Sequence, residues 1–469
     1  MRRAVSLPLL VLCCAAGAVP GRGGETAAAA APATAERYVA EALAANPGLA
    51  AQGLEAEAAQ ARVAELRGAW QPRVDLLARY SRADGGRTIG FPAGDLLNGA
   101  YGVLNDFLRT QGRPAAFAPL SNQTVALLRR EEQETKLRLT QPIYRPELGR
   151  GIAAQRAAAG ARATGYAAQR RDLRRAVLSG YYGYLQAEAA VGILESARDL
   201  AGEARRVNAA LAAAGKITAD RVLRAEADEL EVVQQLAGAQ RDRNAARAAL
   251  NVLRHRPLAE PLERVPEPEL LALAEAWLAR PPAAEGGGRV REEETARRQA
   301  VEAAAAAEDA VRARGRPTLA LAVEGGLQGE RYRTGSGDRF VQGSLVAEFN
   351  LWDGRVRRSQ AQQARLERRR AEAALEETRQ QLALEAQVAA DDLTAAAAGF
   401  RAARRRAEAA AEAYELVQRR EREGLANQLS LLDGRDALTR AQLGRAAALY
   451  RILTAAAAVE RTAAPPPGN

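Results

Sequence analysis

Hydrophobic and polar positions alternate residue by residue in short segments of this 469-residue chain. Leu137, Leu139 and Ile143 are apolar, and the residues between them are mostly polar. A second segment places apolar or small residues at every other position: Val341, Gly343, Leu345, Ala347, Phe349 and Leu351. This period of two predicts β-strands with one apolar and one polar face.

Most of the remaining chain has the composition of closely packed helices. Hydrophobic residues make up 48% of the chain but aromatic residues only 4%, and alanine is abundant. Small side chains let helix axes approach closely, which favours long helices that bury one another over a bulky core. The predicted fold class is therefore mainly α with a small β part.

The same order of elements occurs twice, which predicts two internal structural repeats. Repeat 1, residues 35–256, contains a helix, a strand at 73–81, a loop at 82–134, a strand at 135–144 and long helices over 149–253. Repeat 2, residues 289–461, contains a helix, a strand at 317–324, a loop at 325–339, a strand at 340–352 and long helices over 354–460. Pro72 and Pro317 mark the two changes from helix to strand, because proline ends a helix and tolerates the start of a strand.

Glycines divide the long helical stretches. Gly215 and Gly424 each stand where one long helix is expected to end and another to begin. A helix of about 65 residues reaches on the order of 100 Å, more than a globular domain requires. Residues 257–288 are interpreted as a linker that contains one short helix.

Four strands are too few to close a barrel, and an open sheet edge is not tolerated in lipid. A membrane location of these strands would therefore require oligomerisation. Three copies would supply twelve strands, enough for a barrel with a water-filled lumen.

The termini have the composition of processed or disordered segments. Met1-Arg2-Arg3, an apolar run and Ala16-Gly17-Ala18 predict a signal peptide over residues 1–18. Cys13 and Cys14, the only cysteines, lie within it, and Leu12 stands where a lipidation motif needs a small residue. Residues 19–34 and 462–469 are expected to be disordered.

Charge and residue types argue against nucleic-acid binding and catalysis. The net charge is +10, but the arginines alternate with glutamates as on a solvated helix face. The one histidine, His255, lies at a helix end beside Arg254 and Arg256. No metal-binding set or catalytic triad is evident, so we expect no enzyme and no cofactor.

Several motifs, in their order and duplication, resemble the TolC-like outer-membrane factor family, also called outer membrane efflux proteins. They are Ala42–Pro47, Leu139–Tyr144, Gly215–Ala225, Ala249–Leu253 and Phe349–Gly354. The resemblance implies a trimeric 12-stranded β-barrel in the outer membrane, continued by an α-helical coiled-coil tunnel in the periplasm. It also implies two partners, a periplasmic adaptor (membrane fusion) protein and an inner-membrane pump or exporter.

The resemblance also implies roles for individual residues. Asp433 falls on one acidic position of the family's periplasmic gate, and Ser430 occupies the other. Asp436 shares a helix face with Asp433 and is a further gate or selectivity candidate. A solvated helix face, or pairing with Arg435 or Arg440, remains the alternative for both carboxylates.

The helix turns would be the tips that contact the adaptor, with Gly215, Thr218, Val222, Leu223, Gly424 and Leu432 as contact candidates. Tyr144 and Trp352 end the return strands and fit an aromatic girdle at the membrane interface. Packing of each ring against a helix end is the alternative. A periplasmic coiled-coil adaptor or scaffold without a membrane barrel is the alternative for the whole chain.

Overall fold

The computed structural model describes residues 31–279, 290–331, 333, 335, 337–423 and 428–463. The expected signal peptide lies outside these residues, and so do most of 19–34, most of 462–469, Gly424 and the linker residues from Arg280 to Gly288.

Helices form most of the described chain. They are α1 (Ala33–Ala45), α2 (Pro47–Gly68), α3 (Ala93–Thr110), α4 (Pro146–Ala213), α5 (Ala219–Leu253), α6 (Glu267–Leu278), α7 (Glu292–Ala313), α8 (Val356–Arg422) and α9 (Gln428–Thr462). The strands are β1 (Arg73–Arg82), β2 (Thr88–Phe91), β3 (Gln123–Ala126), β4 (Glu131–Tyr144), β5 (Thr318–Gly329) and β6 (Arg339–Glu348). The expectation of a mainly helical chain with a small β part is confirmed.

The strands form two sheets. Four of them make an antiparallel sheet in the order β1-β4-β5-β6, and β2 pairs with β3 in a separate ribbon. In the larger sheet β4 and β5 are central, so β1 and β6 each have one edge that no other described strand of the chain pairs with.

The chain divides into two compact units. The first contains the described residues within Met1–Ala42, Ala176–Ala284 and Asp392–Ala457, and the second contains those within Leu43–Arg175, Glu285–Asp391 and Ala458–Asn469. Both sheets belong to the second unit.

Arg254 organises a polar core in the first unit. Its guanidinium donates hydrogen bonds to Glu41 (Nη2 to Oε2, 2.6 Å) and Asn251 (Nη1 to Oδ1, 2.8 Å) and lies 4.0 Å from the ring centre of Tyr38. The Tyr38 ring meets that of Tyr181 edge to face at 5.2 Å. These contacts join α1, α4 and α5 around a side chain that is almost fully buried.

A second buried arginine organises the second unit. Arg461, near the end of α9, bonds Asp172 of α4 (Nε to Oδ1, 2.8 Å) and Glu293 of α7. Nearby, Arg171 bonds Glu292 at 2.9 Å. These charge-assisted bonds hold the first turn of α7, where acidic residues also favour the helix dipole.

Two helices, α1 and α2, precede the first strand, where the sequence predicts one. α1 ends at Ala45, and Asn46 caps α2 through its side chain, which accepts a hydrogen bond from the Leu49 amide at 3.0 Å. Pro47 then occupies the first helical position, where its missing N–H costs nothing. The Asn46-Pro47 pair therefore determines where α1 ends and α2 begins.

The second strand pair also differs in its bounds from the expected ones. β5 extends to Gly329, beyond the predicted end at residue 324, and β6 ends at Glu348, before the predicted end at residue 352. Gly325 and Gly326 lie in the predicted loop over 325–339, but both are paired on each side within the sheet. A Cβ at Gly326 would lie 2.2 Å from the Thr135 carbonyl oxygen, so this glycine permits close strand approach.

Candidate functional site

The four-stranded sheet has one apolar face. Residues directly opposite each other in an antiparallel ladder share a face, and the register pairs Val74 with Leu139, Leu76 with Leu137, and Leu321 with Leu345. Leu76 is 69% exposed and Leu345 is 67% exposed. The described part of the chain leaves this face uncovered over much of its area.

The opposite face carries charges that pair across the strands. Lys136 Nζ of β4 lies 2.7 Å from Glu134 and 2.8 Å from Glu324 of β5. Arg79 of β1 reaches Glu134 at 3.4 Å, and Arg138 pairs with Glu324. This face therefore presents a ladder of paired charges, which suits contact with water.

Both predicted interface aromatics are exposed. Tyr144 is the last residue of β4 and is 42% exposed, and Trp352 follows β6 and is 81% exposed. The alternative, in which the Trp352 ring packs a strand against a helix end, does not fit this exposure.

The two gate candidates lie near the start of α9 in different environments. Asp433 is exposed and forms no ion pair or hydrogen bond with a described residue. Asp436 accepts a hydrogen bond from Arg435 (Nη2 to Oδ1, 3.3 Å), and the Arg435 side chain is buried. The sequence left open whether these carboxylates pair with a neighbouring arginine. In the structure Asp436 does so, with Arg435, whereas Asp433 has no such partner among the described residues.

Sequence reasoning missed the residue of α5 that faces this segment. Asp228 lines a cleft of about 240 Å³ together with Glu231, Arg435, Asp436 and Arg440. Burial raises the pKa of Asp228; Arg435 opposes the shift, and Asp436 and Glu231 add to it. Its Oδ2 atom is buried without a hydrogen-bond partner in the described chain. No local motif connects residues so distant in sequence.

The turn between α4 and α5 is built by Gly215. Its φ is +70°, and two hydrogen bonds close the helix end, from the Lys216 amide to the Leu211 carbonyl and from the Gly215 amide to the Ala212 carbonyl, both at 2.9 Å. This is a Schellman motif, in which glycine avoids the Cβ clash of a positive φ. Thr218 then stands at the N-cap of α5.

The other predicted tip residues lie around the two turns. Thr218 and Leu223 are exposed, Val222 is half-buried and Leu432 is buried. Gly424 lies outside the described residues. An exposed Leu223 beside the turn is available to a partner, whereas Leu432 packs within its own unit.

Neither a metal site nor a membrane-crossing helix is found in the part of the chain that the structure describes. No three His, Cys, Asp or Glu side chains there are grouped to hold a metal ion. None of these helices has a stretch long and apolar enough to cross a bilayer.

Comparison with known families and structures gives a consistent result. Residues 295–464 match the family described as Outer membrane efflux protein. No curated protein matches the chain significantly in sequence.

Solved structures match over nearly the whole chain. Three similar ones are the CmeC outer membrane channel of Campylobacter jejuni, the outer membrane protein VceC of Vibrio cholerae, and the open state of the MtrE outer membrane channel of Neisseria gonorrhoeae. Their sequence identities are 15%, 17% and 18%, and their TM-scores are 0.74, 0.72 and 0.69. Each alignment covers 92% of this chain, and it covers 85%, 96% and 88% of the respective relative.

Residues 295–464 thus resemble outer membrane efflux proteins in sequence, and the chain resembles solved outer membrane channels in fold.

Proposed function

We propose that the chain is one of three identical subunits of an outer-membrane efflux channel. The observation that carries the proposal is the larger sheet, which has one face of paired charges, one apolar face that the described residues leave uncovered, and two edges that no described strand pairs with. In lipid, such edges must be paired. Three copies joined through β1 and β6 give twelve strands with the apolar face toward lipid and the charged face toward a wet lumen.

The same arrangement gives the helices a role. α4, α5, α8 and α9 would continue the barrel as a periplasmic tunnel, and Tyr144 and Trp352 would lie at the barrel's membrane interface. The tips near Gly215, Thr218, Leu223 and Gly424 would meet a periplasmic adaptor, which links the channel to an inner-membrane pump or exporter. Cargo would be small molecules or proteins delivered by that partner.

The gate role is proposed for the start of α9. Asp433 would form a ring of three carboxylates where the tunnel narrows, since rings of acidic side chains select cations in pores. Asp436 would add less, because Arg435 already neutralises part of its charge.

The alternative of a periplasmic adaptor or scaffold fits the long helices alone. It gives no reason for an exposed apolar sheet face opposite a ladder of paired charges. A soluble protein with this surface would aggregate or bury it against a partner.

A planar bilayer experiment tests the proposal. Purified protein added to a bilayer is expected to give discrete, long-lived conductance steps, because a water-filled barrel passes ions. Heat-denatured protein at the same detergent concentration is the control. A complete absence of steps from folded, trimer-sized protein would argue against an ion-conducting channel.

A further inference from the structure

Helix α3, in the segment between β1 and β4, has an apolar face that no described part of the chain covers. Val103 is 72% exposed, Leu96 67% and Phe107 60%, and Leu97 and Leu104 beside them are also exposed. Because residues of a helix recur every 3.6 positions, Leu96, Ala100, Val103 and Phe107 form one continuous stripe.

The opposite face of α3 is already occupied by its own loop. Asn98 and Leu120 exchange two hydrogen bonds of 2.8 Å, and Asn105 accepts one from the Phe117 amide at 3.0 Å. Tyr101 packs on Phe117 with ring centres 5.2 Å apart. These contacts hold α3 against the loop, and the apolar stripe of α3 faces away from the loop.

The spacing of the stripe favours another helix as its occupant. Its members are separated by four, three and four residues, which is the spacing of a coiled-coil seam. Leu97 and Leu104 widen this seam on one side, as in helices that pack against more than one neighbour.

The charges of α3 argue against a lipid surface as the occupant. Helices that lie on membranes are rich in Lys and Arg on their polar face. α3 carries Asp95, Asp106 and a single Arg109, so it would gain little from anionic head groups.

In the proposed trimer, the position of α3 in the chain would bring the three α3 helices close to one another. The loop begins at β1, an edge strand, and the β2–β3 ribbon and the Ala83–Arg130 hydrogen bond at 2.9 Å continue the β1–β4 ladder toward α3. A 12-stranded barrel has a radius of ~12 Å. The 18 residues of α3 span about 27 Å, enough to reach from the barrel wall to its axis.

We infer that the apolar stripe of α3 (Leu96, Ala100, Val103 and Phe107) packs against the same stripe of the neighbouring copies and forms a three-helix cap over the channel mouth. This inference rests on the proposed trimeric channel. The occupant is a second and third copy of this chain, and the cap belongs to the side of the barrel opposite the helical tunnel.

Disulfide cross-linking tests the cap, since the only native cysteines are Cys13 and Cys14 in the expected signal peptide. Val103→Cys places a thiol in the stripe. Gly102→Cys, the matched control, places one on the polar face of the same turn, where a Cβ meets nothing within 4 Å. After mild oxidation in outer membranes, we expect on the order of tenfold more cross-linked dimer from Val103→Cys, because disulfides need Cα atoms within about 7 Å.

The molar mass of the protein–detergent complex distinguishes a failure of the cap from a failure of the trimeric channel. Equal or absent cross-linking of both variants at a trimer mass would overturn the cap and leave the channel standing. Protection of the Val103→Cys thiol from a water-soluble reagent without cross-linking would overturn it in favour of lipid. A single-chain mass would contradict the trimeric channel itself, and the cap with it.

Discussion

At the scale of single residues, Arg254 shows how the first unit is held together. Its guanidinium bonds Glu41, Asn251 and Glu260 and stacks on Tyr38, so the charge is compensated from several directions. The main contribution of such a buried charge to stability is that its polar partners keep their hydrogen bonds in the folded state. Removing it would leave the partly buried Glu41 with only the more distant Arg37 and Arg256 as ion-pair partners.

We therefore expect Arg254→Leu to lower the free energy of unfolding by about 3–5 kcal/mol. Arg256→Leu is the control, since Arg256 is half-exposed and approaches Glu41 only at 3.7 Å. Thermal unfolding followed by circular dichroism in detergent measures both. Equal effects of the two variants would show that burial of Arg254 does not matter.

Asp228 makes stability depend on pH with a definite sign. Burial raises its pKa above the ordinary value of 3.8; Arg435 and Arg224 oppose this shift, and Asp436 and Glu231 add to it. The folded state then binds the proton more tightly than the unfolded state. Stability is lost as pH rises from 3.8 through the folded pKa and stays lower at neutral pH.

Asp228→Asn should therefore raise the melting temperature at neutral pH, because it removes the cost of a buried charge. Below pH 3.8, where Asp228 is protonated in both states, the variant and the native chain should melt together. Asp242→Asn on the exposed face of α5 is the control and should change little. A lower melting temperature for Asp228→Asn at neutral pH would mean that its charge stabilises Arg435 more than burial penalises it.

At the scale of elements, β5 depends on a close approach that no side chain would permit. The Thr135 carbonyl and the Lys136 backbone occupy the place of a Cβ at Gly326. Gly343 in β6 has open space at the same position, so it offers a matched comparison within the same sheet.

We expect Gly326→Ala to destabilise the assembled protein by about 1–3 kcal/mol through overpacking, whereas Gly343→Ala is tolerated. Resistance of the oligomer to heating before gel electrophoresis provides the measurement. If both variants dissociate at the native temperature, the sheet tolerates a Cβ at Gly326 and the strand pairing described here is wrong at that point.

The proposed gate segment at the start of α9 allows a second comparison between nearby positions. Asp433→Asn should reduce cation selectivity and weaken block by divalent cations, because it removes the unpaired carboxylate. Asp436→Asn should do so less, since Arg435 shares that charge. Reversal potentials in a salt gradient measure both, with Asp199→Asn on α4 as the charge-matched control. Identical selectivity of Asp433→Asn and the native channel would remove Asp433 from the gate.

Local patterns in the sequence predict the elements well when they repeat over many residues. The period of two around Leu137 and the proline before each strand indicate the sheet, and Gly215 indicates the end of α4. The strand bounds around Gly326 are harder to predict, because a glycine that allows close strand approach looks the same in sequence as one in a loop. The placement of Arg435 and Asp228 in one cleft requires the fold, since each residue alone resembles a solvated helix position.

At the scale of the whole molecule, the larger sheet is the reason for proposing a trimer. Among the described residues, it has two edges that no strand pairs with and an apolar face that nothing covers. Lipid would cover the face, but only another strand can pair the edges. The sequence predicts too few strands to close a barrel from one chain, and the proposed number of three copies follows from the twelve strands of the proposed barrel.

The most direct test is the molar mass of the mature protein extracted from outer membranes, measured by light scattering after size exclusion with the detergent contribution subtracted. The account predicts a mass of three chains, obtained only in the presence of detergent. A monomer that stays in solution without detergent would leave the apolar face and the strand edges without lipid or partners, and would contradict the channel.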